Sequence, residues 1–251
     1  MKALITGASS GLGRNMAIVL SKMGYDIIAV ARREDRLFKL KDELQTDVKI
    51  VCLGLSEKEN CFKLYELVSK EYIDIVVNNA GFGIFGKFSK TDLDRELELI
   101  KVNIRSVHIL TKLFLNDFRR KNRGYIMNVA SSAGFMPGPL MSVYYASKAY
   151  VLNLTQAISE ELRREKSGVH ICSLCPGPVK TEFDSVANVS FGIGTLDAYT
   201  VSEYAIRQML RKKTVIIPGF KVKAGVFLSR FVSRKFLLKI VYRLQNSKES
   251  L

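Results

Sequence analysis

The chain reads as an α/β protein built on a doubly wound parallel sheet, and three observations predict this. Short apolar runs alternate with amphipathic helical periods, the pattern of a parallel sheet covered on both faces. A glycine-rich turn, Thr6-Gly-Ala-Ser-Ser-Gly-Leu-Gly13, leads directly from the first apolar run into a helical period. The length of 251 residues, 47% of them hydrophobic, suits one large core and argues against disorder.

Taken in order, the strands are expected at 2–6, 26–31, 48–53, 73–78, 124–130, 169–175 and 215–218, giving seven. Each is a short, mainly apolar run, too short for a buried helix. Helices are expected at 12–23, 36–44, 61–71, 93–118, 143–166 and 201–211, where apolar residues recur at helical spacing. No linker, repeat or low-complexity stretch interrupts the series. One domain therefore spans 1–220, and a helical extension follows at 221–251. The segment 184–198, with Gly192 and Gly194 and no period, reads as a loop of the length active-site lids have.

Bulk properties narrow the function. No apolar run approaches the ~20 residues that span a bilayer. No cleavable leader is expected ahead of the first strand. Cys52, Cys61, Cys172 and Cys175 suit a reducing, cytoplasmic setting. Cys172 and Cys175 lie three apart on a strand, so their thiols point to opposite faces and no metal site is expected. His108 and His170 have no ligand spacing and read as structural or surface residues. The net charge is +15, and the segment 205–251 holds twelve Lys and Arg against one acid, Glu249.

Chemistry concentrates in a few motifs. Gly7, Gly11 and Gly13 would let the backbone approach a pyrophosphate and let helix and strand pack closely. Ser9, Ser10 and Leu12 complete the turn, and the helix N-terminus faces the phosphate charge. Where a dinucleotide site of the Rossmann type carries an acid for the ribose 2′-hydroxyl of NAD, this chain has Ala31-Arg32-Arg33. Two guanidiniums suit a 2′-phosphate, so NADP(H) is expected over NAD(H). Tyr144 and Lys148 are four apart, about one helical turn, and share a helix face. A cation there is expected to lower the phenol's pKa and make an acid/base that works near neutrality. Ser131 lies thirteen residues upstream of Tyr144.

Together, Thr6–Gly13, Asn78-Asn79-Ala80-Gly81, Asn103, Ser131, Tyr144-x-x-x-Lys148 and Pro176-Gly177-Pro178-Val179-Lys180-Thr181 resemble the short-chain dehydrogenase/reductase family over 1–220. The resemblance implies roles. Tyr144 would protonate a carbonyl oxygen, Ser131 would donate to that oxygen, and Lys148 would tune Tyr144 and bond the nicotinamide ribose. Asn103 would position a water linked to Lys148. Asn79, Ala80 and Gly81 would line the adenosine side, and Pro176, Gly177, Val179 and Thr181 the nicotinamide side. Tyr145, one residue out of register with Lys148, is assigned to packing. In one departure, Gly54 stands where such reductases often carry an adenine-binding aspartate.

The implied function is a hydride-transferring oxidoreductase acting on a small-molecule ketone, aldehyde or secondary alcohol, expected to be lipophilic. A 3-oxoacyl-thioester reductase is the alternative, and a non-catalytic NADP(H)-binding protein is the alternative of another class. A homodimer or homotetramer is expected, with no specific nucleic-acid partner. The basic tail reads as one broken or two short amphipathic helices. It is expected to cover the substrate cleft, to lie peripherally on an anionic membrane, or to contact nucleic acid, without a groove-reading motif, or another acidic partner.

Overall fold

In a computed structural model, describing residues 1–183 and 195–246, seven parallel strands form one sheet. They are β1 (Lys2–Thr6), β2 (Asp26–Ala31), β3 (Val48–Cys52), β4 (Ile75–Asn78), β5 (Gly124–Val129), β6 (Val169–Leu174) and β7 (Val215–Ile216). Their order is β3-β2-β1-β4-β5-β6-β7. Strands are added outward in one direction from β1 to β3 and in the other from β4 to β7, so the strand order reverses between β1 and β4, the crevice where open α/β sheets bind ligands.

Helices α1 (Gly11–Lys22), α2 (Glu34–Glu43), α3 (Lys58–Val68), α4 (Leu93–Ile100), α5 (Val107–Lys121), α6 (Ser142–Arg164) and α7 (Ala198–Leu210) flank the sheet. Two apolar clusters result, one on each face. Met16, Leu20, Leu37 and Met209 pack on one side with the alternate strand residues Ile5, Ile27 and Val77. Leu64, Leu110, Phe114 and Phe118 pack on the other with Leu4, Ile28 and Val76. Burying one such side chain contributes about 1.5–3 kcal/mol.

A buried polar chain stitches the centre. Asn78 Nδ2 donates to Asn128 Oδ1 (2.9 Å) and to Thr111 Oγ1 (3.1 Å), and Asn128 Nδ2 donates to Thr155 Oγ1 (2.9 Å). It ties β4, β5, α5 and α6 together just below the strand ends that carry the site.

Strands fall where expected, although β4 begins at Ile75 and β7 has only two residues. The helix expected at 93–118 is not one α-helix. Residues Lys101–Ser106 form a π-helical segment between α4 and α5. The wider turn shifts register by part of a turn and carries Asn103 inward, to full burial. Periodicity could not show this, because one inserted residue hardly changes an amphipathic pattern.

The tail forms α8 (Phe220–Leu228), a short 3₁₀ turn (Ser229–Phe231) and α9 (Arg234–Asn246). Cys172 and Cys175 are both buried but belong to different apolar clusters, as strand geometry requires. Among the described residues no cluster of His, Cys, Asp or Glu is arranged to hold a metal.

Candidate active site

The turn after β1 is shaped by two glycines at positive φ, Gly7 (+67°) and Gly11 (+55°). A Cβ on Gly7 would stand 2.7 Å from Asn79 Nδ2 and 2.9 Å from Ala80 Cα, so only glycine fits. Thr6 Oγ1 accepts from the backbone N–H of Asn79 (2.9 Å) and of Ala80 (3.0 Å), locking the β1 and β4 ends together. Ser10 is the N-cap of α1, yet its side chain makes no capping bond. It accepts instead from Arg33 Nη2 (2.8 Å), which also reaches Ser9 Oγ (3.1 Å). The backbone donors of the first turn of α1 therefore face the cleft without a side-chain cap across them.

Arg33 Nη1 donates to Glu182 Oε2 (2.9 Å), and Arg36 holds the other Glu182 oxygen. The Arg36 bond, reinforced by Arg33, keeps the Glu182 carboxyl below its ordinary pKa. Arg32 also lines the cleft; its guanidinium lies largely in solvent, 3.4 Å from Glu98. A Cβ at Gly54 would touch the Arg32 stem at 3.4 Å. The wall beside that stem is apolar, formed by Leu53 and Leu55.

The other end of the same cleft holds the acid–base candidates. Ser131 follows β5 in extended conformation; its hydroxyl donates to Pro176 O (3.5 Å) and lies near enough to Tyr144 to oppose the rise of that phenol's pKa. Its oxygen also accepts from Ala133 N–H (3.1 Å). Tyr144 and Lys148 lie on α6, with Lys148 Nζ 5.7 Å from the Tyr144 ring centroid.

One expectation fails here. Tyr144 is not lowered toward neutrality; burial pushes it up to about 12, opposed only in part by the Ser131 hydroxyl. Lys148 is itself buried, which pushes it down to about 8. Its Nζ donates to Val129 O (2.8 Å) rather than to the phenol. Desolvation is thus the largest influence on both groups in the free protein.

Asn103 does not line the cleft. It lies behind it, accepting from Phe82 N–H (3.1 Å) and donating to Phe82 O (2.9 Å) and Ser147 Oγ (3.2 Å). Its Oδ1 would be 2.9 Å from a Cβ on Gly81, so it braces the loop after β4. Gly13 is likewise absent from the lining. A Cβ there would run into Asn79 Nδ2 and Gly7 O, so its place is helix–strand packing. Gly7, Ser9, Ser10, Gly11, Leu12, Arg32, Arg33, Asn79, Ala80, Gly81, Ser131, Tyr144, Lys148, Pro176, Gly177, Val179 and Thr181 all line one continuous cleft of about 530 Å³.

Sequence reading missed part of this lining. Met136, Met141 and Phe183 form an apolar wall beside Tyr144, with the two rings 5.2 Å apart. Tyr145, assigned to packing, reaches the cleft, where its hydroxyl accepts from Gln245 Nε2. Gln245, Leu244 and Val241 of α9 close that end. A Cβ on Gly177 would stand 2.6 Å from Val222, so α8 braces the Pro176-Gly177 loop. Most of the expected lid, 184–194, lies outside the described residues; Leu196 pairs with Val179 in an isolated parallel bridge.

The donors and glycine cradle fit a dinucleotide: close backbone approach at Gly7, a helix start turned to the cleft, and guanidiniums beside Ser9 and Ser10. The short chain dehydrogenase family profile matches residues 1–189. An uncharacterized oxidoreductase of Staphylococcus epidermidis is 35% identical over 181 residues, 71% of this chain and 78% of that one. A short-chain dehydrogenase from Sphingobium yanoikuyae, solved in complex with NADPH, superposes with a TM-score of 0.83 at 28% identity over 95% of both chains. A bulky-bulky ketone specific alcohol dehydrogenase from Comamonas testosteroni superposes with a TM-score of 0.78 at 26% identity over 91% of both chains. The chain belongs to the short-chain dehydrogenase family. It is an oxidoreductase of a family that binds NAD(P)(H) and acts on small molecules.

Proposed function

We propose that this chain is an NADP(H)-dependent reductase of bulky, lipophilic ketones or aldehydes, with Ser131, Tyr144 and Lys148 as its catalytic residues and Asn103 as a positioning residue. The observation that carries this reading is the single cleft. A glycine turn with Arg32 and Arg33 stands at one end, and Ser131 and Tyr144 stand against an apolar wall at the other. The neighbouring structures' NADPH complex and bulky-ketone specificity support the same reading.

Bound cofactor would supply the hydride; the protein's residues position and protonate. Gly7, Ser9–Leu12 and the start of α1 would hold the pyrophosphate, and Arg32 and Arg33 a 2′-phosphate. Asn79–Gly81 would line the adenosine side. Pro176, Gly177, Val179 and Thr181 would line the nicotinamide side. Tyr144 carries its proton at neutral pH, as an ordinary tyrosine would, and burial raises its pKa further, so it holds the proton that a carbonyl oxygen would take on reduction. Ser131 would donate to that same oxygen. Lys148 would contribute its charge and a ribose bond one turn behind Tyr144.

Free thiols and a preference for NADP(H) support a cytoplasmic setting. Exposed Leu93, Leu97 and Ile100 on α4 and Tyr150 on α6 support a homodimer or homotetramer. The test is a screen of small and bulky ketones, aldehydes and secondary alcohols with each cofactor, followed by cofactor absorbance. The expected result is turnover of bulky ketones with NADPH above NADH; turnover of none, or equal use of both cofactors, contradicts it.

A further inference from the structure

Residues 220–246 contain seven cations (Lys221, Lys223, Arg230, Arg234, Lys235, Lys239, Arg243) and no acid. All seven are exposed. None of them joins an ion pair among the described residues. Between them stand large apolar side chains in solvent: Phe220 (86% exposed), Phe227, Leu228, Phe231 (74%), Phe236 and Leu244. Phe227 and Phe231 pack edge to face, 5.3 Å between centroids.

The inward side of this tail is already satisfied. Val226, Val241 and Gln245 are buried, Val222 sits on Gly177, and Val241 and Gln245 close the substrate end of the cleft. The aromatic and basic side chains are therefore surplus to the fold. Phenylalanines in water lose hydrophobic free energy for no folding gain, which marks a contact surface.

We propose that the exposed faces of α8, α9 and the turn between them form a docking surface for an anionic membrane. Charge complementarity selects this occupant. Seven cations without an acid repel a second copy of the same face and match a layer of anionic headgroups. Interleaved phenylalanines suit the boundary between headgroups and acyl chains, where an amphipathic helix lies in the plane. No described helix is long and apolar enough to cross a membrane, so the contact is peripheral. Leu244 is both exposed and part of the cleft lining, so docking would set the cleft mouth at the lipid surface. A lipophilic carbonyl could then enter without crossing water; this last step rests on the proposed function, whereas docking does not.

The test is flotation of the full chain with vesicles of phosphatidylcholine alone or enriched in phosphatidylglycerol. At least tenfold more protein should float with the anionic vesicles, and high salt should release it. Arg234→Glu/Lys235→Glu/Lys239→Glu should abolish flotation, and Phe227→Ser/Phe231→Ser should weaken it several-fold. Both variants should keep wild-type melting temperature and turnover of a water-soluble ketone. No flotation, or equal flotation with both vesicle types, overturns the proposal. So does retention of a nucleic acid or acidic protein in preference to vesicles. Flotation reads no turnover, so its failure leaves the reductase assignment standing, and an inactive protein that floats separates the two claims the other way.

Discussion

At the turn after β1, the cleft is walled by backbone. Gly7 and Gly11 hold positive φ, and Thr6 pins the neighbouring strand end, so the turn and the ends of β1 and β4 are fixed by main-chain geometry. At the opposite end the wall is side chains from three distant segments: Met136 and Met141, Phe183, and Val241 with Gln245. Under the proposed function the first region would meet a ligand group that never varies within a cofactor, which suits a wall of backbone. The second would meet a substrate, and side chains on separate elements can change one at a time without disturbing the sheet. The comparison teaches that, under the proposed function, cofactor choice would be written in neighbouring residues, Arg32 and Arg33, and substrate choice in tertiary contacts.

The cofactor end should break hardest under mutation. Arg32→Ala, and at least equally Arg33→Ala because Arg33 is seated on Ser9 and Ser10, should each weaken NADPH binding by about tenfold or more. That corresponds to loss of a charge-assisted phosphate bond of about 1.5–3 kcal/mol. NADH binding should hardly move, as read by fluorescence titration; equal losses would remove the 2′-phosphate assignment.

Between the two ends, Lys148 is held at a cost. Its folded pKa, about 8, lies below the 10.5 of an ordinary lysine. Below pH 8 the fold must carry a buried ammonium that the unfolded chain keeps in water, so the group destabilises there. The penalty falls as pH rises through about 8 and is gone near 10.5, where the unfolded lysine also loses its proton. Lys148→Met should therefore stabilise the cofactor-free protein by about 1–3 kcal/mol at pH 7, with the gain shrinking toward high pH. Thermal melts across pH decide it; a gain that does not change with pH would mean packing alone is responsible.

The substrate end should respond selectively. Gln245→Ala or Val241→Ala should raise KM for bulky ketones about three- to tenfold, with small ketones and NADPH affinity little changed. A uniform rise for all ketones would indicate a distorted Tyr144 rather than a lost wall. The smallest effect is expected at Glu182, whose carboxylate occupies Arg33 and Arg36 in the free protein. Both pairs are half exposed, so the competition is weak. Glu182→Gln should tighten NADPH by about two- to fivefold and leave NADH unchanged by calorimetry, and weaker NADPH binding would show that the pair helps instead.

The same contrast explains what the sequence could show. The sheet, the glycine turn, Arg32–Arg33 and Tyr144–Lys148 are legible because each rests on spacing within one element or at its end, and Ser131 lies in the short stretch just before their helix. Asn103's inward turn was hidden because a π-helical insertion leaves apolar periodicity nearly intact. Gln245 and Tyr145 meet across a hundred residues, and no local pattern announces that pairing. The direction of the Tyr144 shift was misread for a similar reason. Spacing places a cation near the phenol, but burial, a tertiary property, decides which effect wins.

The most direct measurement mixes the protein with NADPH and a bulky ketone and compares wild type with Tyr144→Phe, after NADPH dissociation constants have been matched by titration. Removing one hydroxyl should leave cofactor binding within about twofold and lower kcat by about 10²-fold or more, the contribution of a positioned acid. A Tyr144→Phe protein that keeps more than about a tenth of wild-type kcat would contradict the assignment of Tyr144 as the proton donor.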